Sequence, residues 1–115
     1  MAVIIYGIKN CDTMKKARSW LDSNSVEYVF HDYRKDGLDR RMLNGWLKTL
    51  TWEELLNKRG TTWRKLPDST KESMNKSAAV SLMLEQPAII KRPLLERDGE
   101  LMLGFNEENY ARVFS

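Results

Sequence analysis

The hydrophobic period switches twice within the first thirty residues, and that switch restricts the fold more than any other feature of the sequence. Val3–Tyr6 is a β-branched, apolar run of strand type, followed by the loop Gly7-Ile8-Lys9-Asn10. Met14, Ala17 and Leu21 then recur at helical spacing, with Lys15, Lys16, Arg18 and Asp22 on the opposite face. Val26, Tyr28 and Phe30 alternate with Glu27, Val29 and His31, which reads as a second strand. A strand–helix–strand unit this short implies two parallel strands joined by a right-handed crossover.

The middle of the chain is helical in pattern. Leu43, Trp46, Leu47 and Leu50 form an i, i+3, i+4, i+7 stripe. Thr51 and Glu54 make a capping box ahead of Leu55-Leu56, with Gly60 suited to the end of that short helix. Ser69 and Glu72 repeat the box and open a helix carrying Met74, Ala78 and Leu82, which stops before Pro87. Met42, Met74 and Met83 read as core fill.

Strand character returns in the last third. Ala88-Ile89-Ile90 and Leu94-Leu95 are strand-like runs interrupted by Arg92-Pro93. Asp98-Gly99 is a hairpin signal with Leu101–Leu103 as its return strand. Asn106 caps a final short helix with Glu107 and Glu108 in its first turn and Tyr110, Val113 and Phe114 facing inward. The order βαβ, helical block, ββα is that of an α/β, thioredoxin-like fold with helices inserted between its two halves. With 115 residues and 42% hydrophobic content the chain suits a single domain over 1–115. Its halves span about 1–34 and 87–115, and the helical insertion about 38–86.

Charge excludes some partners. Nineteen Lys and Arg against 16 Asp and Glu give a net charge of +3, and the two signs are interspersed. Arg64-Lys65 and Lys91-Arg92 are only pairs, too little for a nucleic-acid footprint. The apolar start Met1–Gly7 is too short for a signal-peptide core, and no window approaches the ~18 apolar residues of a membrane span. A cytoplasmic location is expected, and a single cysteine, unable to form an internal disulfide, suits a reducing compartment. His31 is the one histidine, which excludes a Cys/His metal cluster and reads as a strand-end surface residue. Trp46 belongs to a core stripe, whereas Trp52 and Trp63 flank the Arg59-Gly60 turn.

Cys11 lies between the first strand and the first helix, beyond a strand's carboxyl end where open α/β sheets bind ligands. The unpaired N–H groups of a helix N-terminus can draw a thiol pKa from ~8.5 down to ~3.5–7.5. Lys9 adds to that effect if it points inward, and Thr13 is placed to hydrogen-bond the sulfur or cap the helix. The competing reading is an inert, buried thiol; Asn10 and Asp12 on either side argue against it. Pro93 is the second feature, since a proline inside a strand-like run marks an edge, a bulge or a cis turn. In this topology a cis-proline opening the third strand faces the cysteine loop. Such a proline leaves the backbone of Arg92 open to a thiol peptide and can bring the guanidinium beside the sulfur; the competing reading is an ordinary surface arginine next to an edge proline.

These residues resemble a known family. Tyr6-Gly7-Ile8-Lys9-Asn10-Cys11-Asp12-Thr13, Asn57-Lys58-Arg59-Gly60-Thr61, Ile89-Ile90-Lys91-Arg92-Pro93-Leu94-Leu95 and Gly104-Phe105-Asn106 are similar to the arsenate reductase-like (ArsC/Spx) family, and within it to the YffB branch. The resemblance implies that Cys11 is the reactive cysteine, that Arg92 lies beside it, and that Arg59 supplies a further basic group. Two departures are visible. Gly104 stands where the glutathione- and glutaredoxin-coupled arsenate reductases carry a third arginine, and Tyr6-Gly7-Ile8 where they carry a histidine. An arsenate oxyanion thus loses part of its clamp. Spx regulators switch through C-x-x-C, and here the fourth position is Met14.

The resemblance therefore implies a glutathione-dependent thiol-disulfide oxidoreductase with one nucleophilic cysteine. Cys11 and Arg92 are the expected catalytic residues; Lys9, Asn10, Thr13, Arg59 and Pro93 are the expected substrate-binding ones. No metal or tightly bound cofactor is expected, and glutathione is the co-substrate. Expected partners are glutathione, a small thiol or disulfide, and a glutaredoxin or other protein, with neither nucleic acid nor membrane. The alternatives are a non-enzymatic Spx-like interaction regulator and a true arsenate reductase.

Overall fold

Strand β1 (Val3–Gly7) is the hub of a four-stranded sheet in the computed structural model, which describes residues 2–115. It pairs in parallel with β2 (Val29–Asp32), setting Ile4 beside Val29 and Tyr6 beside His31. On its other side it runs antiparallel to β3 (Leu94–Arg97), which turns through Asp98-Gly99 into β4 (Glu100–Leu103). The sheet order is β2-β1-β3-β4. Both turn residues have positive φ, 49° and 87°, the conformation that two-residue hairpins require. Helix α1 (Asp12–Ser23) links β1 to β2, and α7 (Glu107–Val113) closes the chain, its start capped by Asn106 accepting from the Asn109 N–H at 3.2 Å. The arrangement is the α/β, thioredoxin-like βαβ…ββα with helices between the halves, as the sequence implied.

The chain divides into two compact units. One comprises the chain up to Asp36 together with Arg92–Ser115, and the other is Gly37–Lys91. The period-2 and period-3.6 patterns meet in the core of the first. Val3 and Ile5 from β1, Met14, Ala17 and Leu21 from α1, Leu95 from β3 and Tyr110 from α7 form one buried cluster. Each fully enclosed Ile, Leu or Met contributes about 1.5–3 kcal/mol of hydrophobic stabilisation. Strand β2 starts only at Val29, later than the alternation implied. After α1 the chain turns tightly through Ser25 (φ 57°), and the Val26 N–H bonds the Leu21 carbonyl rather than a strand. Val26, Tyr28 and Phe30 nevertheless pack against the core. Their alternation recorded burial, and ladder pairing covers only part of it.

The second unit contains α2 (Arg40–Trp46), α3 (Trp52–Leu55), α4 (Thr61–Arg64), α5 (Asp68–Glu72) and α6 (Lys76–Glu85). Leu43, Trp46, Leu55, Leu56, Ala79, Val80, Met83, Ile89 and Ile90 are its buried residues. The Thr51–Glu54 capping box is present, with the Glu54 N–H donating to Thr51 Oγ1 at 3.1 Å and the Thr51 N–H to Glu54 Oε1 at 3.0 Å.

Several sequence expectations are corrected here. The stripe continuing to Leu47 and Leu50 is not one helix, because α2 ends at Trp46 and tight turns follow. Gly60 does not end α3 but precedes α4; α3 stops at Leu55 because Leu56 extends into an antiparallel bridge with Ile90. No capping box forms at Ser69, since α5 begins at Asp68 directly after Pro67. Ala88-Ile89-Ile90 is a 3-10 turn over Pro87–Ile89 entering that bridge, not a strand.

The helix expected to carry Met74, Ala78 and Leu82 is broken at Asn75. The Asn75 side chain accepts the Ala78 N–H at 2.9 Å and starts α6 afresh, so the buried face becomes Ala79, Val80 and Met83. Met42 and Met74 are only half-buried; Met83 alone of the three expected core methionines is fully enclosed. Asn75→Ala is expected to cost about 1 kcal/mol, read as a lower urea midpoint with an unchanged slope.

Candidate active site at Cys11

Antiparallel pairing of β1 with β3 matches Tyr6 to Leu94, so Pro93 and Arg92 arrive just beyond the paired end of β3 while β1 runs on into the cysteine loop. Cys11 is the N-cap residue of α1, in extended conformation (φ −146°, ψ 126°), and its carbonyl accepts the first helical N–H, from Lys15, at 3.0 Å. The thiol is half-buried, packed against the core of its unit.

Several groups act on the sulfur. Burial opposes ionisation and is the largest single influence. It is outweighed by the Met14 N–H, by a hydrogen bond and the positive charge of Arg92, and by the Thr13 N–H, so the thiol pKa is lowered from its ordinary value. The sulfur closes no capping hydrogen bond of ordinary geometry, so the two amides act chiefly as oriented dipoles. Arg92 is half-buried, its Nε enclosed, and the Arg92–Pro93 peptide is cis. The Pro93 carbonyl accepts the Gly104 N–H at 2.8 Å.

The structure brings Cys11, Thr13, Arg92 and Pro93 together, but Thr13 acts through its backbone rather than its hydroxyl. Lys9 is exposed and is absent from the groups acting on the sulfur; it bears on the site only through its carbonyl, which accepts the Cys11 N–H at 3.1 Å. An inward-pointing Lys9 is therefore corrected, since the loop turns its side chain to solvent. Asn10 is exposed beside the thiol. Arg59 belongs to the helical unit, where its side chain is exposed and its N–H donates to Asn57 Oδ1 at 3.2 Å.

Gly104 has φ 79°, a left-handed turn that disfavours any side chain with a Cβ. His31 is half-buried on β2, its ring 5.1 Å from Tyr6 and 6.2 Å from Tyr33, a packed strand residue rather than a loose surface one. Tyr33 is the neighbour that sequence motifs did not reveal. Burial and the Tyr6 phenol push its own phenol upward, and the nearby Arg92 charge opposes them. An aromatic following a strand carries no signal that would single it out. Among the described residues no group of three or more His, Cys, Asp or Glu could hold a metal ion. No described helix is long and apolar enough to cross a membrane.

Known proteins resemble this chain in sequence and fold. An arsenate reductase (ArsC)-related protein from Brucella melitensis is 55% identical, with 99% of this chain and 95% of that one aligned at a TM-score of 0.84. A YffB protein is 46% identical, covering 99% of this chain and 100% of that one at a TM-score of 0.92. The global transcriptional regulator Spx 2 of Bacillus cereus is 28% identical over 113 residues, 96% of this chain and 85% of its own length. The model of the ArsC family matches residues 6–113, a span running from β1 to the end of α7 and taking in Cys11 and Arg92 alike. The chain is thus a member of the ArsC family, with the fold of the arsenate reductase-related thiol oxidoreductases.

Proposed function

We propose that the protein is a glutathione-dependent thiol-disulfide oxidoreductase that works through Cys11 alone. The observation that carries this reading is the Arg92 guanidinium and the Met14 and Thr13 amides converging on a half-buried thiol and lowering its pKa despite burial. The Cys11 thiolate attacks one sulfur of a disulfide, forming a new S–S bond while the old one breaks and its other sulfur leaves as thiolate. Glutathione thiolate then attacks the mixed disulfide, forming oxidised glutathione or a glutathione mixed disulfide and returning Cys11 to the thiolate. Arg92 and the helix amides hold the negative charge on Cys11 before attack and after release. Asn10 and the Arg92–Pro93 segment flank the sulfur where a peptide-like thiol docks, and Arg92 is the cation available to its carboxylates. A glutaredoxin is a suitable protein partner for the mixed disulfide. The chemistry suits the cytoplasm, where reduced glutathione is abundant.

Monobromobimane labelling against pH tests the reading. The wild-type midpoint is expected below that of an ordinary thiol. Arg92→Met, which keeps an apolar stem but removes the charge, is expected to raise it and to slow labelling at pH 7 by about three- to tenfold. A wild-type midpoint at ~8.5 or above would remove the basis for nucleophilic catalysis.

The 28% identity to an Spx regulator supports a second reading, a module that binds protein partners without turnover. Met14 at the fourth position rules out an intramolecular disulfide switch but leaves such binding open. Pull-downs with wild type and Cys11→Ser distinguish the two. Partners held by a reductant-sensitive bond support chemistry, and identical, reductant-insensitive partners support the regulator.

A further inference from the structure

Gly7 is the last residue of β1, and it is buried. Its φ lies outside the left-handed region that Gly37, Gly99 and Gly104 occupy, so glycine is not needed there for its backbone. Space is the reason. A Cβ added at Gly7 lands on Met14 Sδ, and it also falls 2.9 Å from Met14 Cε and 3.3 Å from Cγ. Met14 has no exposed surface and is enclosed by the core cluster that includes Val3, Ile5, Ala17 and Tyr110, so its thioether has little room to swing away. The strand end is equally constrained, because the Gly7 carbonyl accepts the Tyr33 N–H at 2.9 Å.

Met14 therefore has two roles at once. Its side chain sits on the end of β1, and its backbone N–H acts on the Cys11 sulfur. We propose that Gly7 is a positioning residue for the thiol: its bare Cα is the seat for the Met14 thioether, and that contact sets the first turn of α1 under Cys11. The enclosed core leaves the thioether little room to swing alone, so a methyl at position 7 is relieved by a shift of the Met14 backbone, which displaces the amide facing the sulfur. The proposal rests on Cys11 being an ionised nucleophile, but alkylation reads it without requiring turnover.

The test is the pH profile of monobromobimane labelling for wild type, Gly7→Ala, Met14→Ala and the double variant, with thermal melts recorded in parallel. Gly7→Ala is expected to move the midpoint up by about half to one pH unit and to slow labelling at pH 7 by about three- to tenfold. Adding Met14→Ala makes room for the methyl and returns the midpoint at least halfway to wild type. Met14→Ala alone removes the thioether from its seat and slows labelling at pH 7 by about twofold. That variant decides the matter if Gly7→Ala does not fold.

A merely structural role for Gly7 would lower the melting temperature and leave the pH profile of the folded protein unmoved. An unmoved profile in Gly7→Ala, a double variant no closer to wild type, or an unmoved profile in Met14→Ala would each overturn the proposal while a low wild-type midpoint left the nucleophile reading intact. An ordinary wild-type midpoint would overturn both.

Discussion

Replacing Cys11 by serine is expected to abolish glutathione-coupled disulfide reduction, by at least about a thousandfold. The chain holds one cysteine, so no second thiol can take over the attack or resolve a mixed intermediate. A serine hydroxyl stays protonated near neutrality, and its oxygen cannot form the S–S bond on which both half-reactions depend. The substitution keeps size and polarity at an N-cap position where serine is itself favoured, so the fold is expected to persist. The check is turnover with glutathione and a small disulfide alongside a urea curve. Residual activity above about one per cent would show that electrons bypass this sulfur.

Activity in the wild type is expected to rise with pH and level off below the pH at which a free thiol would. The same depression couples to stability. The unfolded thiol binds its proton more tightly than the folded one, so the stabilisation is complete above the unfolded value and is lost as pH falls through the folded one.

The largest stability effect is expected at Tyr110. Its side chain has no exposed surface, and its ring meets Phe105 and Trp20 edge-on at 4.8 and 5.6 Å, with Phe114 at 6.3 Å. Tyr110→Ala removes this keystone of the aromatic cluster and is expected to cost about 3–5 kcal/mol, a large part of the ~5–15 kcal/mol typical of a domain. Tyr110→Phe is expected to behave oppositely. The phenol oxygen is buried with no hydrogen-bond partner among the described residues, and burial pushes its pKa up. Removing it is expected to be neutral or to add about 1 kcal/mol. Urea midpoints measure both, and a loss above about 1 kcal/mol for the phenylalanine variant would mean that the hydroxyl is hydrogen-bonded.

What could be read in advance followed physical scale. The β1–α1–β2 unit and the β3–β4 hairpin were legible because Val3–Tyr6, Met14/Ala17/Leu21 and Asp98-Gly99 each express a period or a turn over several residues. Cys11 and Arg92 were legible as neighbours because a proline opening a strand in this topology must face the first loop. The helical unit was not legible in detail, since α3, α4 and α5 are too short to repeat a hydrophobic period. There a single polar residue such as Asn75 sets the boundary. Apolar runs such as Leu55-Leu56 and Ile89-Ile90 announced burial, yet whether such a run pairs, turns or coils depends on where the chain meets itself. Gly7 reads from sequence only as a loop residue, because nothing in its own type reveals that a helical side chain rests on it.

The pairing of β1 with β3 has a consequence in time. Cys11 lies near the start of the chain, and the guanidinium that steadies it comes from the last quarter, held in place by a ladder between residues far apart in sequence. Until Arg92 has been made, only the local amides of Thr13 and Met14 can favour the thiolate. Only after β3 has joined the sheet does Arg92 add its hydrogen bond and its charge to what the first turn of α1 already offers the sulfur.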